Sequence, residues 1–299
     1  MIADRDFYSL LRQQELLLRP NRSSSQLGFH PLSHRGRSLE FSEYREYHPG
    51  EDLRDLDWKL FARTDRYYVK QRDSHTPATA LLLVDDSASM QFHSKRATVS
   101  KLRAALLCAF AFAYVLHRQG DALAFRTLSQ AQPTVPPRTS RRAFRHLVQS
   151  LKKADQAEPV SAVVGGPEAL DLRPKSVDHL FFISDFLIPE VQQTSWLDAL
   201  QQMAFRSTCI RVLDPFEANP DDSVSHLEEL EFPKTNRVVG PEDWQDYRER
   251  FREHGEQWAQ ACKARRFAWH KLSSGGEVPV AIRTLLGTPG LVPGGGRLR

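Results

Sequence analysis

Two apolar runs in this chain each end in a carboxylate. Residues 80–84 (Ala80, Leu81, Leu82, Leu83, Val84) carry no polar side chain, as expected of a strand buried on both faces, and Asp85, Ser87 and Ser89 follow at once. Residues 177–184 (VDHLFFIS) read as a second buried strand whose apolar run is 180–183, and Asp185 comes directly after it. The i, i+2, i+4 spacing of the first group turns one carboxylate and two hydroxyls towards a single point. Oxygen donors of this kind suit a hard divalent cation, and the C-terminal ends of strands are where an open α/β sheet binds its ligands. The expected chemistry is a Mg²⁺ or Mn²⁺ site. Asp86, at i+1, should point the other way.

Such a site needs a sheet with helical crossovers, and the sequence supplies them. After residue 94 comes a long helix with an apolar face (Val99, Leu102, Ala105, Leu106, Ala109, Phe110, Ala113, Leu116), ending at Gly120. A short strand over 121–128 follows, then a Pro-rich connection and a helix over 141–153 that Thr139 or Ser140 can cap. A helix over 196–205, a strand over 209–213 ending at Asp214-Pro215, a helix over 241–265, a strand over 266–272 and a helix over 278–286 complete an alternation of strand and helix. This pattern predicts a doubly wound, mostly parallel α/β sheet. Ahead of it stand a helix over 7–18, a polar loop over 22–37 and a charged, aromatic-rich stretch over 36–70. The expected domains are therefore an N-terminal helix with an irregular β-containing appendage (1–76), the α/β domain with a C-terminal extension (77–287) and a Gly/Pro-rich disordered tail (288–299).

Composition excludes several classes. With 40% hydrophobic and 26% charged residues in 299, the chain is ordinary globular material with enough apolar mass for a sizeable core. No apolar stretch approaches the ~20 residues of a membrane helix, and the first 20 residues mix charge into every turn, so a cytoplasmic protein is expected. Cys108, Cys209 and Cys262 are widely spaced in apolar surroundings and read as buried thiols. The net charge of +4 conceals a basic segment, 91–150, with ten Lys or Arg against the single acid Asp121. A solvated helix face accounts for it, and an anionic partner is the competing reading.

The constellation resembles the von Willebrand factor A-like fold. The metal-ion-dependent adhesion site of that family has the form Asp-x-Ser-x-Ser, with a later threonine and an aspartate after a further strand. Asp85, Ser87 and Ser89 match the triplet, Asp185 matches the later aspartate, and Thr139 is the best candidate for the threonine, with Ser140 equally well placed. Gly36, Phe41, Glu43, Arg45, Tyr47, Pro49-Gly50, Arg54, Asp57-Trp58 and Ala62-Arg63, followed later by Asp214-Pro215 with Glu217 and Pro220, resemble the signatures of bacterial domain of unknown function family 58. Glu51 stands where that family more often has Asp. The resemblance implies a von Willebrand A-like domain with an N-terminal appendage, Mg²⁺ or Mn²⁺ at the adhesion-type site, and a MoxR-type AAA+ ATPase as partner.

Other chemistries fit less well. A haloacid-dehalogenase-like, Mg²⁺-dependent phosphotransferase needs a second acid at i+2, where Ser87 stands. A serine hydrolase needs a Gly-x-Ser-x-Gly elbow, and a zinc site needs a ligand cluster. A nucleic-acid binder using the basic segment would lack a recognition motif and interleaved stacking aromatics. The expected function is non-enzymatic: a metal-dependent protein-interaction module whose ion takes a partner's carboxylate, working with the ATPase in assembly or maturation of other proteins.

Overall fold

A computed structural model describes residues 5–16, 18, 40–47, 56–73, 77–129, 135–138, 141–157, 167, 177–220, 226–228, 236–238 and 240–292. The chain forms two compact units, one of Arg22–Pro77 and one of Met1–Asn21 with Ala78–Arg299. Helix α1 (Arg5–Leu11) thus belongs with the α/β unit and not with the appendage assigned to 1–76. Phe7 and Leu11 explain this, since both are buried in the main apolar core, and the Tyr8 ring meets Phe110 edge-on at 5.3 Å.

In the smaller unit β1 (Glu40–Glu46) pairs antiparallel with β2 (Tyr68–Asp73), and the register shifts between Phe41 and Glu43. Helix α2 (Trp58–Thr64) lies between them in sequence. A helix over 53–63 is the expectation, but the Asp57 carboxylate accepts the backbone N–H groups of Lys59 at 3.0 Å and Leu60 at 3.2 Å. That cap sets the start at Trp58.

In the larger unit a six-stranded sheet has the order β10-β7-β6-β3-β4-β5. Its members are β3 (Thr79–Val84), β4 (Ala122–Thr127), β5 (Val135–Arg138), β6 (Val177–Ser184), β7 (Ala204–Leu213) and β10 (Ala268–Ser273). Every pairing is parallel except that of β4 with β5. The expected doubly wound, mostly parallel sheet is present. A short pair, β8 (His226–Glu228) with β9 (Asn236–Val238), stands apart from it.

Helices cover both faces, as the apolar residues that β3 and β6 turn to each side require. Ala80, Leu82 and Val84 of β3, with Phe181 and Ile183 of β6, join one core with α1, α3 (Lys101–Gln119), α4 (Arg141–Gln156) and α8 (Val278–Leu286). Leu81 and Leu83, with Leu180 and Phe182, join the other with α5 (Glu190–Met203) and α7 (Pro241–Ala264). The long helix expected after residue 94 begins only at Lys101, because the Ser100 hydroxyl caps it by accepting Arg103 N–H at 3.2 Å. Between β3 and α3 the chain makes one 3₁₀ turn, Ala88–Gln91.

The C-terminal segment departs from the expected disordered tail at 288–299. Leu291 and Val292 are buried, and the Leu291 carbonyl accepts the Thr208 hydroxyl at 2.8 Å. Residues 293–299 lie outside the described residues.

Candidate metal centre

Topology decides where the two aspartates meet. From β3 the chain passes through α3 to β4 on one side, whereas β6 lies on the other side of β3. The order therefore reverses between β3 and β6, and a crevice opens at their C-terminal ends. The backbone N–H of Asp85 donates to the Ile183 carbonyl at 2.9 Å, which extends the ladder by one residue and fixes the first aspartate beside the second.

The four described residues predicted for the site come together. Asp85, Ser87, Ser89 and Asp185 are all buried. The Asp85 carboxylate accepts Ser87 N–H at 2.9 Å and the Ser184 hydroxyl at 2.6 Å. Ser87 Oγ and Ser89 Oγ lie 3.1 Å apart, and the Ser89 hydroxyl also reaches the Asp185 carboxylate. Asp185 Oδ1 accepts Leu187 N–H at 3.0 Å. Asp86 turns away, as expected, to accept Ser129 N–H at 3.0 Å. Thr139 and Ser140, the candidates for the further ligand, lie outside the described residues.

Three charged partners complete the cluster, and none was singled out for it from the sequence. Lys101, the first residue of α3, is fully buried, with its ammonium 2.8 Å from Asp185 Oδ2 and 2.6 Å from Glu217 Oε1. Glu217 closes the turn α6 (Pro215–Ala218) as part of a capping box with Asp214, so its Oε2 accepts Asp214 N–H at 3.3 Å. Arg211 Nε donates to the Asp185 carbonyl at 3.3 Å while its guanidinium stacks on Phe251 at 4.4 Å. The Asp-Pro-Phe-Glu pattern at 214–217 marks a capping box in the sequence. Nothing in sequence spacing ties Lys101, 116 positions away from Glu217, to that turn.

These contacts set opposite tendencies on the two aspartates. Burial, reinforced by the neighbouring Asp185 charge, pushes the Asp85 carboxyl up to about 6. Burial would also raise Asp185, but the Lys101 ammonium outweighs it and holds that carboxyl below its ordinary value. For Lys101 itself burial works against the charge, and Asp185 with Glu217 overcome it, so the ammonium is held above its usual range.

The donor set fits a small hard cation. Its oxygens are two carboxylates and two hydroxyls from two chain segments, with no sulfur or imidazole to favour a softer metal. Asp85 accepts Ser87 N–H on one oxygen and the Ser184 hydroxyl on the other, and each carboxylate oxygen has a second lone pair. Among the described residues no group of three or more His, Cys, Asp and Glu side chains has metal-binding placement. The fit therefore relies on the serines. Beside Asp185 a cleft of about 520 Å³ runs between residues 187–190 and α7, lined by Leu187, Tyr247, Phe251 and His254 among others. Leu187 is 43% and the nearby Val191 88% exposed.

Fold and site together define an α/β protein with a polar, charge-lined crevice at the switch point of a mostly parallel sheet. The chain belongs to the protein family of unknown function DUF58, whose model matches residues 43–260. It is 30% identical over 229 residues to uncharacterized proteins of Mycobacterium bovis and Mycobacterium tuberculosis, covering 74% of this chain and 69% of each relative. Among solved structures, a conserved hypothetical protein BatB from Bacteroides thetaiotaomicron aligns with a TM-score of 0.41 and 13% identity over 70% of this chain and 96% of that one. An aerotolerance-related membrane protein from Bacteroides fragilis aligns with a TM-score of 0.38 and 9% identity over 69% and 94% of the two chains. No described helix is long and apolar enough to cross a membrane.

Proposed function

We propose that this protein is a von Willebrand A-like interaction module that holds Mg²⁺ or Mn²⁺ and through it engages a carboxylate of a protein partner. The observation that carries this reading is the convergence of Asp85, Ser87, Ser89 and Asp185 in one buried crevice at the switch point. When bound, the ion supplies a coordination position for an incoming oxygen. The chain's own residues do the rest. Asp85 and the two serines would hold the ion, Ser184 and Ser87 N–H orient Asp85, and Leu187 N–H with Lys101 orients Asp185. The exposed apolar Leu187 and Val191 beside the crevice suit a protein partner better than a small solute.

Catalysis has less support. Among the described residues the second acid beside Asp85 is Asp185, which Lys101 already pairs, and Asp86 points away. Part of the basic segment is spent on structure, while Arg141, Arg142 and Arg145 stay exposed. Lys101 and Arg126 are buried, Arg103 pairs with Asp155, and Arg118 donates to the carbonyls of Leu11 and Arg12. A MoxR-type AAA+ ATPase is the partner that the family resemblance suggests, in a cytoplasmic setting.

Calorimetric titration of the chelator-treated protein with Mn²⁺ and Mg²⁺ tests the reading. Saturable binding in the wild type that is lost in Asp85→Ala, with circular dichroism unchanged, supports it. Absence of binding in the wild type removes the metal role. Retrieval of the ATPase from lysate in Mg²⁺ but not in EDTA tests the partner.

A further inference from the structure

Lys101 breaks two local rules. A lysine at the first position of a helix stands at the positive end of the helix dipole, where cations are disfavoured, and an ammonium with no solvent exposure has lost its hydration. Side chains that violate local preference usually do so for a site. Here the compensation is specific: Asp185 Oδ2 at 2.8 Å and Glu217 Oε1 at 2.6 Å share the ammonium between them. Glu217 is itself locked, since Asp214 N–H donates to its other oxygen, Asp214 accepts Phe216 N–H at 2.8 Å, and Asp214 also holds Ser94 N–H at 3.0 Å. The ammonium is therefore pinned from the far side by a rigid turn. It cannot follow Asp185 towards an ion without leaving Glu217.

We propose that Lys101 is a resident cation of the metal site, competing with the divalent ion for Asp185 and leaving that ion to be held chiefly by Asp85, Ser87 and Ser89. The proposal rests on the metal-binding reading above. Two cations on one carboxylate repel each other and divide its charge, so the resident ammonium weakens divalent binding. Metal occupancy is coupled through the same ammonium to the turn at 214–217. Lys101 is thus a positioning residue that sets affinity without contacting the ion.

The test is Mn²⁺ affinity, read by electron paramagnetic resonance of the free ion and by calorimetry on the full chain. In the double variant Lys101→Met with Glu217→Gln a positive and a negative charge leave together, so the net charge of the cluster is unchanged and only the competitor is removed. We expect this variant to bind Mn²⁺ at least tenfold more tightly than the wild type, and Lys101→Arg to stay within about threefold of it. A purely structural role for Lys101 predicts the reverse, because a disordered site binds more weakly. Glu217→Gln alone leaves the ammonium to Asp185 and should weaken Mn²⁺ binding several-fold. It provides the reading if circular dichroism shows the double variant unfolded. Wild-type Mn²⁺ binding that the double variant matches or falls below overturns the proposal, as does an unaltered affinity in Glu217→Gln. Absence of Mn²⁺ binding in every folded form overturns the metal reading, and this proposal with it.

Discussion

Replacing Asp85 with Asn should make the metal-free protein more stable while abolishing its metal response. Asp85 is 2% exposed and sits beside a second aspartate, which pushes its carboxyl from 3.8 to about 6. A carboxyl whose folded value lies above its unfolded one disfavours the ionised form. The cost is absent below about pH 4, grows as pH rises towards 6, and is fully present at pH 8, where the shift corresponds to about 3 kcal/mol. Asn carries no charge and removes that cost. Its amide oxygen can keep the Ser87 N–H, but its amide nitrogen meets Ser184, whose hydroxyl now donates to Asp85 at 2.6 Å and whose oxygen already accepts Phe186 N–H at 2.8 Å. The stranded Ser184 proton takes back about 1 kcal/mol. Asp85→Asn should therefore gain ~2 kcal/mol at pH 8 in EDTA, and the gain should give way to a deficit of up to ~1 kcal/mol as pH falls to 4 and below. Urea unfolding of both proteins at the two pH values measures it. Wild type should gain stability on adding Mg²⁺, as any ligand specific to the folded state requires, and the variant should not. A variant less stable than wild type at pH 8 in EDTA would refute the electrostatic account of the crevice. A variant that keeps the Mg²⁺ response would refute the role of Asp85.

Two further expectations concern the scaffold. His179 is buried in β6, and its Nε2 lies 2.9 Å from Thr208 Oγ1, whose own proton goes to the Leu291 carbonyl, so the imidazole must be the donor. Burial, aided by the Arg206 charge, lowers it to about 3. The neutral ring thus contributes stability that is fully present above about pH 6.5 and is lost as pH falls towards 3. Roughly 2 kcal/mol should go between pH 8 and pH 5, and His179→Gln should flatten that slope in urea titrations. Gly255 lies in α7 against Arg211, where an added Cβ would collide with the guanidinium. Gly255→Ala should lower stability by about 1–2 kcal/mol despite the better helix propensity of Ala, and thermal unfolding checks it.

Much of the sheet was legible because β3 and β6 each carry an apolar run, 80–84 and 180–183, between helices with one apolar face, and such runs have few other places to go. Asp85, Ser87, Ser89 and Asp185 were legible for a related reason: a carboxylate directly after a buried strand lies at the sheet's ligand-binding edge. Asp214 and Glu217 are spaced for a capping box, a local signal that the reading of Asp214-Pro215 as a strand end passed over. The strands and helices were misjudged mainly at their ends. Ser100 caps α3 later than the start expected after residue 94, and Asp57 delays α2, because several hydroxyls and carboxylates along each stretch are equally competent caps until the neighbouring chain selects one. The place of α1 was misjudged as well, since a short apolar stripe does not state which surface it will cover.

What the sequence determined alone is a set of periodicities and the donor types that end them, enough for a mostly parallel α/β sheet with oxygen ligands at one edge. Only the tertiary structure decided the electrostatics of that edge. Lys101 read as one cation among ten in a basic segment, yet the reversal of strand order and the fold of the 214–217 turn bury it between Asp185 and Glu217. A charge's role depends on its distance to other charges and on the water removed from around it. Both are set by residues far apart in the chain, which no local pattern records.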